Sequence, residues 1–160
     1  MSSTALPAVT RETWLGHPKG LFLLFATEMW ERFSYYGMRA LLAVYVASTF
    51  FALLPDGEAK AQASLTYGAY TALIYATGIF GGFIADRYLG YRPSILLGGV
   101  IMALGLFLLL IPDLTWFLVG LAVIVVGNGL FKPNISTMVG MLYSKHDARR
   151  DSGFTIFYMG

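Results

Sequence analysis

Residues 26–40 read ATEMWERFSYYGMRA and carry four charges inside an apolar stretch. LFLLF precedes them and LLAVYV follows. A helix turns by about 100° per residue, so side chains at i, i+3, i+4, i+7, i+8 and i+11 from the first glutamate share an arc of roughly 140°. The stretch therefore predicts a helix with one polar face. The side chains on this polar arc are Glu28, Glu31, Arg32, Tyr35, Tyr36 and Arg39.

The composition around this stretch indicates a membrane protein. Of the 160 residues, 57% are hydrophobic and 12% are charged, a balance too apolar for a soluble domain. A helix needs about 20 residues to cross the hydrocarbon core. We therefore predict an all-α membrane protein, with residues 1–19 as a tail and residues 20–160 as one helical bundle. The predicted helices cover about residues 20–54, 62–85, 93–111 and 114–143, and a fifth starts at about residue 154.

The positions of the basic residues predict the orientation. Lys and Arg near membrane ends are retained on the cytoplasmic side. Seven of them lie in the tail and in the loops of one side, whereas the opposite loops hold only Lys60. We therefore expect a multi-pass protein of the inner (cytoplasmic) membrane with a cytoplasmic N terminus. The net charge of +2 follows from this asymmetry and gives no reason to expect nucleic acid. The seven residues are Arg11, Lys19, Arg87, Arg92, Lys145, Arg149 and Arg150.

The polar arc favours a transport pathway over a purely structural role. A charge at the bilayer centre costs about 2.5–3.5 kcal/mol, so the arc must face protein or a water-filled cavity. Glu28 and Arg32 are spaced to pair within the helix, but desolvation offsets most of the Coulomb gain of a buried pair. Because the arc holds more polar groups than pairing requires, we interpret it as one wall of a transport cavity.

A second polar position lies in the fourth helix, where GNGLFKPNIS at residues 127–136 places Lys132 near mid-membrane. An ammonium at that depth needs a carboxylate partner. The acids of the first helix are the only intramembrane candidates in the sequence. We therefore predict that Lys132 faces Glu28 or Glu31.

Glycines and a proline predict where the helices approach closely. Gly78 and Gly82 form a small-xxx-small pair in the second helix, and Gly127 and Gly129 allow close approach of the fourth. Pro133 removes a backbone donor and predicts a kink beside the lysine. Packing and gating roles remain open for these residues.

Four segments resemble transporter motifs. GGFIADRYLGYR at residues 81–92 resembles the loop between helices 2 and 3 of the major facilitator superfamily. EMWERFSYYG at 28–37 and FKPN at 131–134 are similar to motifs of the proton-dependent oligopeptide transporter family, and FTIFYMG at 154–160 to the start of its helix 5 motif. The resemblance implies helices 1–4 and the start of helix 5 of a fold with twelve or more helices in two six-helix halves. Since the fifth helix is cut short, we expect the sequence to be the N-terminal portion of a longer protein.

The resemblance implies proton-coupled symport of di- and tripeptides. It assigns proton coupling to Glu28, Glu31 and Arg32, and binding of the peptide carboxylate to Arg39 and Lys132. From the residues alone, Tyr75 is more readily interpreted as a core or interface tyrosine than as a pocket residue. The pocket tyrosines implied are Tyr35, Tyr36 and Tyr75, and the conformational motif residues are Gly82, Asp86, Arg87, Gly90, Arg92 and Pro133.

An alternative function is transport of another small anion or peptide-like compound, such as nitrate, an amino acid or a drug. We do not expect an enzyme, because the sequence has no serine elbow, metal-ligand cluster or phosphate-binding loop. The expected partners are peptide, protons and the lipid bilayer, without a metal or another cofactor. We expect a monomer.

Overall fold

The computed structural model of the protein describes residues 13–160. Helices make up most of this part of the chain, and the predicted all-α class is confirmed. The hairpin strands are β1 (Thr13–Trp14) and β2 (His17–Pro18). The helices are α1 (Lys19–Thr49), α2 (Asp56–Ile84), a π-helical turn (Ala85–Leu89), α3 (Tyr91–Leu108), α4 (Leu114–Met141) and α5 (Arg150–Met159).

The hairpin connects the start of the described chain to the loop between α4 and α5. His17 Nδ1 lies 2.8 Å from the hydroxyl oxygen of Tyr143. Arg149 donates a hydrogen bond of 2.8 Å to the carbonyl of Gly16. Residues 1–12 of the predicted tail lie outside the described part of the chain. Residues 13–18 of that tail form this hairpin.

An ion pair holds the arginine that reaches the hairpin. Arg149 Nη2 lies 2.8 Å from Asp147 Oδ2, and this hydrogen-bonded pair lowers the pKa of Asp147 to about 2. Because the folded pKa lies below the ordinary value of 3.8, any stability from this pair is present above that value and is lost as the pH falls towards 2. The pair is therefore unaffected by pH changes in the neutral range.

The helix ends differ from the sequence prediction where polar turns flank the apolar runs. α2 begins at Asp56 rather than near residue 62, because its first turn is polar; the carbonyl of Pro55 accepts hydrogen bonds from the backbone N–H groups of Glu58 and Ala59. α5 begins at Arg150 rather than near residue 154, since its first turn also carries charges. α1 ends at Thr49, although apolar residues continue to residue 54. Hydropathy thus locates the apolar part of a helix and not its ends.

Three of the described helical segments are long and apolar enough to cross a membrane: Asp56–Leu89, Tyr91–Leu108 and Leu114–Met141. α1 has 31 residues but is not among them. Its length suffices for a span, but the charges of the polar arc lower its hydropathy. α1 is therefore long enough to span a membrane but is less apolar than the other three segments.

α4 forms the centre of the bundle. It packs against α3 on one side and α2 on the other, while α1 contacts α2 and α5 and only a short part of α4. Two apolar clusters fill the interior, one around Tyr70 and Ile124 and the other around Leu21 and Ile135. Of the polar arc of α1, Glu31 and Tyr35 face α4.

Glycines set the close contacts of α4. A Cβ atom at Gly81 would overlap the carbonyl of Gly129, and one at Gly127 would lie 2.7 Å from the Gly98 carbonyl oxygen. The predicted close approach at Gly127 and Gly129 is therefore confirmed. The prediction for the second helix is wrong, because a Cβ at Gly78 would meet no atom within 4 Å. The tight position is Gly81, which the spacing pattern did not select.

The turn between α2 and α3 depends on Gly90. Its φ of 78° is unfavourable for other residues, and its carbonyl accepts a 2.8 Å hydrogen bond from the Ser94 hydroxyl. Asp86 of the π-helical turn lies near Tyr91 at the start of α3. Among residues 13–160, Asp86 forms no ion pair with Arg87 or Arg92.

Candidate functional site

Glu31 of α1 lies at the centre of the polar contacts with α4. Its Oε2 is 3.3 Å from Lys132 Nζ, and its Oε1 accepts a 2.9 Å hydrogen bond from Asn128 Nδ2. The two donors are four residues apart on α4 and therefore share one face of that helix. The Glu31 side chain is only 6% exposed. The predicted pairing of Lys132 with a helix 1 glutamate is thus confirmed, and the glutamate is Glu31.

Glu28 forms a separate ion pair one turn earlier. Its Oε1 lies 2.9 Å from Arg32 Nε, and the residue is buried. Arg32 also donates to the backbone carbonyl of Tyr158 in α5 at 3.2 Å. The second carboxylate oxygen of Glu28 is buried without a hydrogen-bond partner among the described residues. The two acids of α1 therefore have different cationic partners.

Arg39 contacts a tyrosine that the sequence analysis did not select. Its Nε donates to the hydroxyl of Tyr67 in α2, and its guanidinium lies 5.2 Å from the centre of that ring. Tyr67 precedes Tyr75 by eight residues and so lies near the same helical face. That spacing was the signal in the sequence that could have identified it.

Tyrosines surround the cations. The ring centre of buried Tyr35 lies 5.2 Å from Lys132 Nζ, within the range of a cation–π contact. The rings of Tyr35 and Tyr36 meet edge to face at 5.3 Å. Tyr36 and Tyr75 are exposed, at 56% and 71%. Tyr75 is therefore not a core residue within residues 13–160.

A cavity of about 440 Å³ lies between α1, α2 and α4. Its size is within the range of small-molecule sites. Seven of the residues to which the family resemblance gives a role line it, whereas neither glutamate of α1 and no residue of the α2–α3 loop is among its lining residues. The seven are Arg32, Tyr35, Tyr36, Arg39, Tyr75, Lys132 and Pro133.

A second cavity, of about 430 Å³, lies between α1, α3 and α4. Glu31 lines this cavity, and Tyr35 and Asn128 line both cavities. The Glu31 carboxylate therefore lies between the two spaces, next to the side chains that separate them.

The charges in the first cavity favour an anionic ligand. Its lining contains three cations and no carboxylate. Arg32 and Lys132 are each paired with a glutamate of α1. Among the described residues, the hydrogen-bond partner of Arg39 is a phenol rather than an acid. Of the three cations, Arg39 is therefore best placed to bind the carboxylate of a ligand, to which its guanidinium would donate hydrogen bonds.

The POT family model matches residues 92–160 of the chain. The match begins at the arginine after the α2–α3 turn and covers α4 and α5. It therefore includes Lys132 and Asn128 but not the polar arc of α1.

Similar proteins extend over the rest of the chain. A di-/tripeptide transporter of Lactococcus lactis subsp. lactis (strain IL1403) is 50% identical over 153 residues, which cover 94% of this chain and 31% of the relative. A crystal structure of a mutant peptide transporter POT in complex with alafosfalin has a TM-score of 0.82 and 46% identity, covering 93% of this chain and 31% of that one. A POT family transporter in complex with 5-aminolevulinic acid has a TM-score of 0.83 and 45% identity, with the same coverage. The chain thus spans less than a third of the length of these relatives.

Proposed function

The chain belongs to the POT family, and we propose that the protein is a proton-coupled transporter of di- and tripeptides that works by alternating access. The observation that carries this proposal is the ion pair between Glu31 of α1 and Lys132 of α4, whose lysine lines the 440 Å³ cavity. The Lactococcus relative is named a di-/tripeptide transporter, which supports the choice of substrate class. The proposal applies to the protein as a whole.

Lys132 supplies the coupling because it can exchange partners. In the structure its ammonium is 3.3 Å from Glu31 Oε2, longer than the roughly 2.7–2.9 Å of a tight charged hydrogen bond. A proton that adds to Glu31 removes the negative charge of this pair, while Lys132 keeps its own proton. The free ammonium can then bind the carboxylate of a peptide. Release of the α1–α4 contact is the step that permits the helices to move.

Arg39 and the tyrosines supply recognition of what all peptides share. Arg39 binds the terminal carboxylate together with Lys132, and the hydroxyls of Tyr36 and Tyr75 offer hydrogen bonds to the peptide backbone. The remaining space of the cavity accommodates variable side chains. Selectivity among peptide side chains is therefore expected to be low.

Uptake of labelled di-alanine tests this function. The protein, produced from its complete gene, is reconstituted into vesicles with and without an inward proton gradient. Accumulation above the outside concentration is expected only with the gradient. Accumulation that is equal without the gradient, or absent in both conditions, would contradict the proposal.

A second candidate function is transport of a small amino-carboxylate. A similar POT family transporter was solved in complex with 5-aminolevulinic acid, and the cationic cavity matches the carboxylate of such a compound. Competition between labelled di-alanine and unlabelled 5-aminolevulinic acid distinguishes the two functions. Stronger inhibition by 5-aminolevulinic acid than by di-alanine would favour the second.

The proposal includes a monomer in the inner membrane with a cytoplasmic N terminus and with protons as the coupling ion. The distribution of basic residues supports the orientation, because seven lie on one side and Lys60 lies on the other.

A further inference from the structure

Asn128 is a buried polar residue of α4 that lies in the quoted segment GNGLFKPNIS but was given no role from the sequence. It is 2% exposed, and its Nδ2 donates a 2.9 Å hydrogen bond to Glu31 Oε1. Its other contact is a weak one of 3.9 Å to the sulfur of Met102 in α3. The principal hydrogen-bond partner of this buried amide is thus the carboxylate to which we assign proton coupling.

We propose, on the basis of the proposed function, that Asn128 is a positioning residue that holds the Glu31 carboxyl group in both of its protonation states. An asparagine amide can donate through its nitrogen and accept through its oxygen. It donates to the ionised carboxylate, as the structure has it. Once a proton has added to one carboxylate oxygen, rotation of the amide lets its oxygen accept from the new hydroxyl. The new O–H of Glu31 is the only covalent bond that forms, the hydrogen bonds from Lys132 Nζ and Asn128 Nδ2 to the carboxylate break, and Lys132 leaves as an ammonium.

The need for such a partner follows from burial. A buried polar group left without a hydrogen bond is destabilised, and the Glu31 side chain is 6% exposed. Lys132 can donate to the carboxylate but cannot accept from the carboxylic acid, because an ammonium has no acceptor. Asn128 is therefore the hydrogen-bond partner of Glu31, among the described residues, that serves both states.

The charged and titratable groups around Glu31 do not replace Asn128. Glu28 and Tyr35 belong to the same helix, Tyr70 of α2 lines the second cavity together with Glu31, and Lys132 faces Glu31 from α4. From α3 the neighbouring polar atom is the Met102 sulfur. The hydrogen bonds of Glu31 go to Lys132 and Asn128.

A second asparagine of α4 shows what a purely structural amide looks like. Asn134 Nδ2 donates to the carbonyls of Leu130 and Gly81 at 2.7 and 3.3 Å. Both acceptors are backbone groups that do not titrate. The contact of Asn128 with a carboxylate is therefore a specific feature of that position.

Infrared difference spectroscopy on Asn128→Leu tests the inference. Spectra of the protein produced from its complete gene are recorded across pH without peptide, and the C=O band of protonated Glu31 is followed. A donor stabilises the carboxylate more than the neutral acid, since charge-assisted hydrogen bonds are stronger. We expect the titration midpoint to rise by roughly 0.5 to 1 pH unit. The C=O band should move to higher wavenumber, as for a carboxylic acid that has lost a hydrogen bond.

Three further variants make the result decisive. Glu31→Gln must remove the band, and a band that persists would overturn the proposal. Met102→Leu removes the other contact of Asn128 with little change of volume and is expected to leave the midpoint unchanged. Asn128→Asp preserves the shape if the leucine variant does not fold, and its repulsion with Glu31 should raise the midpoint further.

An unchanged midpoint and band in every folded Asn128 variant would overturn the proposal. The titration is independent of substrate, so it separates this inference from the proposed function. A failure of di-alanine uptake together with the expected infrared shifts would contradict peptide transport and leave the role of Asn128 intact.

Discussion

The four charged residues of the polar arc and Lys132 of α4 form two ion pairs and leave one cation without an acidic partner among the described residues. Glu28 holds Arg32, Glu31 holds Lys132, and among the described residues Arg39 is bound by the hydroxyl of Tyr67. Each pair neutralises a charge that would be unfavourable in a bilayer. Under the proposed function the three cations have different roles, and substitutions of Arg39 and Lys132 test two of these roles.

Arg39→Ala is expected to raise the KM for dipeptides by about 10- to 150-fold, because a charged hydrogen bond to the carboxylate contributes roughly 1.5–3 kcal/mol. Arg39→Lys should recover only part of the loss, since the forked geometry of the guanidinium is absent. Uptake kinetics with free and amidated dipeptides provide the measurement. Tyr67→Phe is the matched control, because it removes the hydroxyl that holds Arg39 and keeps the ring. An equal loss for free and amidated peptides would show that Arg39 does not bind the carboxylate.

Lys132→Ala is expected to abolish gradient-driven accumulation while peptide binding is weakened much less. The cavity keeps Arg39 and the tyrosines. Glu31, however, loses the cation that exchanges between its carboxylate and the carboxylate of the substrate. Glu31→Gln should have the same effect, and the double variant should be little worse than either single one, because both act on one contact. Uptake in liposomes and binding by tryptophan fluorescence provide the two readouts. Full accumulation by the Lys132→Ala protein would disprove the switch.

At the scale of the elements, α4 is a packing surface and a functional surface at once. Its glycines meet α2 and α3 at backbone distance, and its polar side chains meet α1. The tight side fixes the position of α4, whereas the polar side is held by contacts that protonation can change. A larger side chain in α2 should therefore destabilise the protein at the position that touches α4 and not at a position that faces open space.

Gly81→Ala is expected to destabilise the protein by about 1–3 kcal/mol or more, because the added Cβ would overlap the Gly129 carbonyl and force the backbones apart. Gly78→Ala is the matched control, since a Cβ there meets no atom within 4 Å. Thermal melting of the purified protein in detergent measures both. Equal melting temperatures for the two variants would show that α2 and α4 are not in this close contact.

At the scale of the whole molecule, the hairpin, the loop between α2 and α3 and the loop between α4 and α5 lie at one end of the bundle, and these two loops are rich in basic residues. The loop between α4 and α5 carries several of these residues and contacts the hairpin through Arg149. The loop between α1 and α2 lies at the opposite end of both helices. The face of the membrane from which each loop can be labelled therefore reveals the orientation of the bundle.

Single cysteines at Gly57 and Lys145 are expected to react from opposite faces of sealed cells. The sequence has no cysteine of its own, and both positions are exposed. An impermeant thiol reagent should label Gly57→Cys from outside and Lys145→Cys only after the cells are opened. Labelling of both from the same face would contradict the proposed topology.

The sequence alone determined the helical class, the polar arc and the family. These properties depend on the order of residues along one chain, because a fixed rotation of about 100° per residue places spaced side chains on one face. The motifs that carry Lys132 and the α1 glutamates are likewise contiguous, so the resemblance to peptide transporters was readable and is confirmed by the POT relatives.

Only the tertiary structure decided which faces meet. It selected Glu31 over Glu28 as the partner of Lys132, brought Asn128 and Tyr67 to the site, and moved the close α2–α4 contact to Gly81. The reason is that helical periodicity fixes angles within one helix but not the rotation or depth of a neighbouring helix. Those depend on packing between helices, where a shift of one residue along α2 replaces Gly82 by Gly81 at the contact.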